Sequence, residues 1–455
     1  MSDLPALRRP TSVRLGVLGF LAAMTFVLYL DRLCIGQAAP LIQRELGISD
    51  TWMGVVFSAF SLSYVLFEVP TGRWGDRFGS RGVLTRIVVW WSCFTALTGA
   101  ASGLAMLLAI RFLFGAGEAG ALPNSARVLK AWFPESTRGK AQGIITTAMM
   151  AGGAVAPPIS QALINALGWR WTFASFGLLG LTWAALFHAW FRDDPELHPA
   201  VNDAERRLIA EGRTKPAAAA LDGGDEIGGG ARAHGHEPIP WRLTLTNRNI
   251  WLLGVAMLTM SAIYTMLGSW YPKYLQAARG ATADDSSWLA SMVLGAGAAG
   301  CLLGGVLTDW MVKVTGSRRW GRTAQSVAGA GLTAACLFAS LRTDSVLLAS
   351  VLVAIACFGV QVQVPAWWAS ATEVGGRHVG ALFGLMNMVG NVGGIVSPIF
   401  LGRFVDVMKA RGYSGRDQWD PGLFVYVGVA ILGLALWSLI DPTRGVGGEK
   451  GRGAA

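Results

Sequence analysis

RGKAQGIITTAMMAGGAVAPP, residues 138–158, and RHVGALFGLMNMVGNVGGIVSPI, residues 377–399, resemble each other. With Gly139 set on Gly380 they run without a gap, and Gly143, Gly152, Gly153, Val155 and Pro157 fall on Gly384, Gly393, Gly394, Val396 and Pro398. A second echo sets Gly72-x3-Asp76, followed by Arg81, against Gly305-x3-Asp309, followed by Arg318. Six apolar stretches precede residue 192 and six more begin near Ile250, each long enough as a helix to cross a hydrocarbon core of about 30 Å. Both echoes occupy the same place in each set: the first lies in the fifth stretch, the second after the second. The chain is therefore expected to be an all-α polytopic membrane protein of twelve transmembrane helices in two pseudo-symmetric six-helix bundles. The expected divisions are 1–191 and 249–443 for the bundles, 192–248 for a cytoplasmic linker and 444–455 for a tail.

Composition agrees. Of 455 residues, 53% are hydrophobic and 15% charged, with a mean hydropathy of +0.44; soluble proteins carry about 25% charged residues. A transmembrane β-barrel needs weakly alternating segments, whereas LLGVAMLTMSAI (252–263) and FVYVGVAILGLALWSLI (424–440) are continuous. The net charge of +10 does not imply nucleic acid, because the basic residues gather in alternate loops: Arg8, Arg9 and Arg14; Arg73, Arg77, Arg81 and Arg86; Lys130, Arg138 and Lys140; Arg318, Arg319 and Arg322; and the tail. By the positive-inside rule both termini are expected to be cytoplasmic. The basic-then-apolar start ends in charge without a small-residue cleavage site, so it reads as a retained first helix. Residues 192–241 are polar and rich in Gly, Ala and Pro, with at most one short helix expected, around Asp203 to Glu211. Five cysteines stand singly, with no CxxC pair and no metal spacing, and read as buried inert thiols; no metal or cofactor is expected.

An ionisable group at mid-membrane costs at least about 2.5 kcal/mol, so each needs a partner or a purpose. The first span holds Asp31 and Arg32 after Tyr29; the fourth holds Arg111 and Glu118, two helical turns apart on one face, among Gly115, Gly117 and Gly120. The second half offers neutral groups instead: Gln361, Gln363, Trp367, Trp368, Asn387 and Asn391. Arginine presents a rigid fork to a carboxylate and never carries a proton, whereas a carboxylic acid in a low-dielectric cavity can do so near neutral pH. With Arg32 beside Asp31, Glu118 is expected to be the more readily protonated. At the basic end, GRWGDRFGSR (72–81) suggests a conformational latch of Gly72, Asp76, Arg77, Arg81 and Asp309, extended by Glu68 and Glu373. No nucleophile–base set, Walker loop or dinucleotide fingerprint is present, and the chain is not expected to be an enzyme.

GRWGDRFGSR and RFLFGAGEAG (111–120) resemble the signature motifs of the major facilitator superfamily. YLDR (29–32), FGAGEAGALPNSARVLKAWFP (114–134), DDPELHP (193–199) and GLMNMVGNVGGIVSP (384–398) resemble its anion:cation symporter family, and in particular the bacterial sugar-acid and hexuronate proton symporters. The resemblance implies proton-coupled import of an organic carboxylate by alternating access, across a bacterial inner membrane, by a monomer with no partner but the small organic anion, protons and the bilayer. A sugar acid or hexuronate is the first expectation and an aromatic acid such as phthalate the alternative; a proton-driven exporter is the reading from another class. It implies Asp31 and Glu118 as proton carriers, Arg32 and Arg111 as their partners and substrate ligands, and Tyr29, Tyr64, Trp367 and Asn387 as further substrate contacts. Two departures weaken the sugar reading. Met149 stands where sugar-acid members place a glutamine, and Val364 and Ala366 replace hydroxyl-bearing residues.

Overall fold

The computed structural model describes residues 9–210, 246–376 and 379–443, and their side chains apart from those of 69, 72–78 and 379–381. Ten helices among these are long and apolar enough to cross a membrane. One of them, Glu135–Trp190, is two spans: Gly168, at φ 76°, breaks it, a conformation in which a Cβ would be strained. Ser80–Thr98, shorter and carrying Arg81 and Arg86, completes the twelve. In chain order the spans are Val13–Leu46, Asp50–Phe78, Ser80–Thr98, Leu104–Trp132, the two parts of Glu135–Trp190, Arg248–Ser269, Ala283–Thr315, Arg318–Arg342, Val346–Gly375, Val379–Ala410 and Gly415–Leu439. Local chemistry starts them. Ser49, Asn247, Thr282, Ser317 and Ser345 each accept a backbone N–H of the helix that follows, satisfying donors that hydrocarbon would leave bare.

The sequence repeat has a physical counterpart. A Cβ on Gly152 of the fifth span would run into the carbonyl oxygen of Phe26 in the first, and a Cβ on Gly393 of the eleventh into that of Leu258 in the seventh. The neighbouring glycines repeat the register: Gly153 faces Tyr29 and Gly394 faces Ser261, so each pair is displaced by the same number of residues. The matched glycines let the fifth helix of each half touch the backbone of the first, which is how membrane helices gain dispersion energy without a hydrophobic drive.

The halves meet at the face that carries the first-to-second and seventh-to-eighth connections, opposite the chain's N-terminus. Gly54 lies on the Pro398 carbonyl, Gly402 on that of Asp50 and Gly36 on that of Gly268. Ser58 donates to Ile395 O at 2.6 Å and Ser291 to Ala154 O at 2.6 Å. Nearer the surface, Lys273 binds the Asp50 carboxylate and Gln43 Oε1, while Asp406 accepts the N–H groups of Asp50 (3.2 Å) and Thr51 (2.7 Å). One half thus supplies the N-terminal carboxylate cap of a helix in the other. Gln37 donates to Ala283 O and Asn165 to Asp284, closing the second seam.

The expected short helix is Asp203–Ala210, and Glu205 on it accepts the N–H groups of Val13 and Arg14, capping the first span; residues 211–245 of the expected linker lie outside the described residues. The cysteine reading needs correction. Cys34 and Cys357 are buried, but Cys301 and Cys336 are intermediate and Cys93 is exposed, because a membrane helix turns apolar residues outward to lipid. Gly393→Ala, forced against a backbone carbonyl, is expected to destabilise the protein by about 1–3 kcal/mol, whereas Gly143→Ala, helical and with open space around it, is expected to stabilise it by up to about 1 kcal/mol; thermal melting in detergent compares them.

Candidate functional site

Between the halves lies a cavity of about 250 Å³. The first half lines it with Tyr29 and Arg32 of the first span, Phe57, Phe60, Ser61 and Tyr64 of the second and Arg111 of the fourth. The second half contributes Met257, Met260, Ser261, Tyr264 and Thr265, spaced every three or four residues along one face of the seventh span, then Gln361, Val364 and Asn391. Two cations therefore stand on one wall and neutral groups on the other.

Asp31, Arg111 and Glu118 are all nearly inaccessible, at 1%, 3% and 1% exposure. Their pairing differs from the sequence expectation. Arg32 reaches across to Glu118, with its Nε donating to Oε1 at 2.9 Å, and its guanidinium sits about the rings of Tyr29, Phe60 and Tyr64 at 5.0, 4.8 and 5.0 Å. The cation expected beside Asp31 belongs to Glu118 instead, because adjacent residues on a helix point some 100° apart and Arg32 is the one whose side chain reaches the fourth span. Neither oxygen of Asp31 has a hydrogen-bond partner, and the neutral polar groups turned toward it are those of Trp91 and Thr95. Arg111 is the mirror case. Among the described residues no carboxylate lies within ion-pair reach of it; its Nε is buried without a partner, and its guanidinium stacks near Phe114 (4.6 Å) and Phe60 (5.3 Å) while facing the cavity. The four charges resolve into one direct pair, Arg32 with Glu118, and a buried carboxyl and a buried cation, Asp31 and Arg111, that lie in electrostatic range of each other without a direct bond.

Not every expected residue reaches the cavity. Trp367 is fully buried, its indole donating to Leu253 O at 2.8 Å and packing on Phe383, so it ties the tenth span to the seventh. Asn387 is also outside the lining; its carbonyl accepts from Asn391, one turn on, and Asn391 is the amide that faces the space. Gly115 lies under the Phe60 carbonyl and Gly117 under the Trp90 indole, so these glycines serve helix packing. The side chains of Gly72, Asp76 and Arg77 lie outside the described residues. Arg81 stays within its own half, its N–H to Asp193 at 2.8 Å and its guanidinium to His188 O at 2.9 Å. Asp309 is exposed, and Glu373 binds Arg318 and Arg322 within the second half. The seventh-span residues escaped the sequence reading; their spacing along one helical face was the available signal.

Residues 21–398 match the model of the Major Facilitator Superfamily. The chain belongs to this superfamily. It is a multi-pass membrane transporter and not an enzyme. It is 32% identical over 86% of its length to 87% of a probable sulfoacetate transporter of Cupriavidus necator. It is 30% identical over 88% of its length to 87% of a probable galactarate/D-glucarate transporter of Bacillus subtilis, and 28% identical over 92% of its length to 94% of a hexuronate transporter of the same species. Among solved structures, it is similar to a bacterial homologue of the human lysosomal transporter Spinster, inward-facing and unoccupied, at a TM-score of 0.76 and 19% identity, covering 94% of this chain and 97% of that one. The D-xylose-proton symporter is similar at a TM-score of 0.69 and 16% identity, with 94% and 98% covered.

Arg32→Met strands the Glu118 carboxyl in a dry site and is expected to destabilise the protein by about 3 kcal/mol, most of it restored by adding Glu118→Gln. A double-mutant cycle on melting temperature measures this; equal losses in the single and double variants would discount the pair.

Proposed function

We propose that this transporter imports an organic carboxylate together with protons by alternating access, across a bacterial inner membrane, with both termini cytoplasmic. The observation that carries the reading is Arg111: a permanently charged fork, buried at the cavity wall and without a carboxylate of its own. A buried cation without a counterion costs several kcal/mol, and a substrate carboxylate would relieve that cost. Arg32 is already neutralised by Glu118, so a second anionic group can be held when Glu118 takes a proton and releases it.

Asp31 has no cation on either oxygen and is proposed as the group that carries a proton in this state. Loss of that proton places a negative charge in the same cluster as Arg111, competing with the substrate anion and favouring its release. Tyr29 and Tyr64 flank Arg32 and hold its guanidinium at the wall. The names of the relatives support an oxygen-rich acid: a sulfoacetate, galactarate/glucarate or hexuronate carrier in each case. The rings of Tyr29, Phe57, Phe60, Tyr64 and Tyr264 in the lining support an aromatic acid such as phthalate as the second reading. Export of a cation is disfavoured by two arginines on its path.

With the termini cytoplasmic, the closed face is external and the protein is inward-facing. The Asp50–Lys273 pair and the Asp406 cap then form the external latch, and the segment Gly72–Arg81 with Asp309 is proposed to close the cytoplasmic side in the alternate state. Residues 192–248 would join the two moving halves.

Uptake of labelled sulfoacetate, glucarate, galacturonate and phthalate into proteoliposomes tests the function. An inward proton gradient is expected to drive accumulation of at least one, and Arg111→Ala to lower its kcat/KM by about a hundred-fold. Asp31→Asn is expected to remove the acceleration by external acid; gradient-driven accumulation by that variant would end the proton assignment. Combining Asp406→Asn with Lys273→Ala should lengthen the distance between spin labels on Arg44 and Arg411, and an unchanged distance distribution would exclude the latch.

A further inference from the structure

Most described serines and threonines on the spans around the cavity give their hydroxyl to a main-chain carbonyl: Ser58 to Gly54 and Ile395, Ser63 to Phe60, Thr259 to Ala256, Ser397 to Ala262. Ser61, Ser261 and Thr265 do not. All three line the cavity, and none has a hydrogen-bond partner among the described residues. They also converge. A methyl placed on Gly394 would stand 3.1 Å from Ser261 Oγ, 3.2 Å from Thr265 Oγ1 and 3.9 Å from Ser61 Oγ.

Glycine inside a helix costs about 1 kcal/mol relative to alanine, and Gly393 offsets that cost by letting the Leu258 backbone approach. Gly394 has no such tenant: the space above it opens into the cavity and is ringed by oxygens. Beside it, Asn391 donates its amide to Asn387 O at 2.9 Å, which leaves its Oδ1 as an acceptor.

We infer that Ser61, Ser261 and Thr265, grouped around Gly394, form a distal subsite that binds the alcohol hydroxyls of a hydroxylated carboxylic acid whose carboxylate sits on Arg111. The subsite is neutral. It can donate to and accept from an alcohol, and it would leave three hydroxyls unpaired against an alkyl or aryl tail. This supplies, from the second and seventh spans, the hydroxyl contacts that Val364 and Ala366 withhold on the tenth. The inference rests on the organic-acid reading above.

Glucarate and adipate share a six-carbon dicarboxylate skeleton and differ only in their alcohol groups. Labelled uptake of both into proteoliposomes is measured for the wild type, for Ser261→Ala/Thr265→Val and for Gly394→Ala, with melting temperature recorded for each. The wild type is expected to favour glucarate by about ten-fold or more in kcat/KM, and the double variant to lose about ten-fold on glucarate while keeping its adipate rate. Gly394→Ala, which fills the space with one methyl, should give the same loss from a different change. Equal wild-type rates for the two acids, or a ratio that survives in both variants, would overturn the subsite. So would a wild type that takes up neither acid; Arg111-dependent uptake of sulfoacetate, galacturonate or phthalate would then leave the organic-acid reading standing without it.

Discussion

The Arg32–Glu118 pair decides the electrostatics of the whole interior. Of its four ionisable groups three are nearly inaccessible and the fourth, Arg32, is partly exposed at the cavity, so their charges can be neutralised in only a few ways. Because Arg32 is held to Glu118 by geometry and by three surrounding rings, it is removed from the account. What remains is one cation at the cavity wall and one carboxyl behind it. Such an arrangement is a poor choice for stability alone, since apolar residues of similar volume would fill the same positions at no desolvation cost. Its retention in the centre of the bundle fits a site whose missing countercharge arrives from outside.

Around this centre the packing is made by backbone, not by side chains. Glycines of the fifth and eleventh spans meet carbonyls of the first and seventh, and glycines of the second and eleventh do the same across the seam between halves. Contacts of this kind are short and stiff within a half. Across the seam they are combined with a carboxylate cap and a lysine–aspartate pair at the rim, where water can re-solvate the separated groups. Strong, dry contacts within each half and separable, partly wet ones between halves are what a rocking motion of two rigid bodies demands.

Much of this was legible in the sequence. Twelve apolar stretches and the doubled glycine–proline segment give the fold, since period and repeat are properties of the chain itself. Arg32 and Arg111 stand out because charge is rare in a membrane span, Tyr29 and Tyr64 come from the family resemblance, and the structure brings all four to one cavity. Pairing was not legible. Which carboxyl meets Arg32 depends on the rotation of the first and fourth helices about their own axes, and adjacency in sequence pointed to Asp31. Trp367 is a substrate contact by the family resemblance alone, and in the structure its N–H is spent on Leu253 O inside the bundle. Ser61, Ser261 and Thr265 carry no signal alone, because serine and threonine are ordinary in membrane helices and usually bond their own backbone.

The placement of these parts on shared helices links binding to closure. The eleventh span carries Asn391 and Gly394 at the cavity, Pro398 and Gly402 on the seam and Asp406 at the rim. The first span carries Tyr29 and Arg32 at the cavity, Gly36 and Gln37 on the seam and Gln43 at the rim. Each stays one continuous helix across its internal proline, Pro40 in the first span and Pro398 in the eleventh, so displacement at the cavity end is passed along the chain to the rim. A ligand bridging the first-span arginine wall and the eleventh-span amide would therefore work on the same two rods that the latch holds. On that proposal coupling requires no separate relay: the residues proposed to read the substrate and those proposed to seal the opposite face are joined to one another through the backbone.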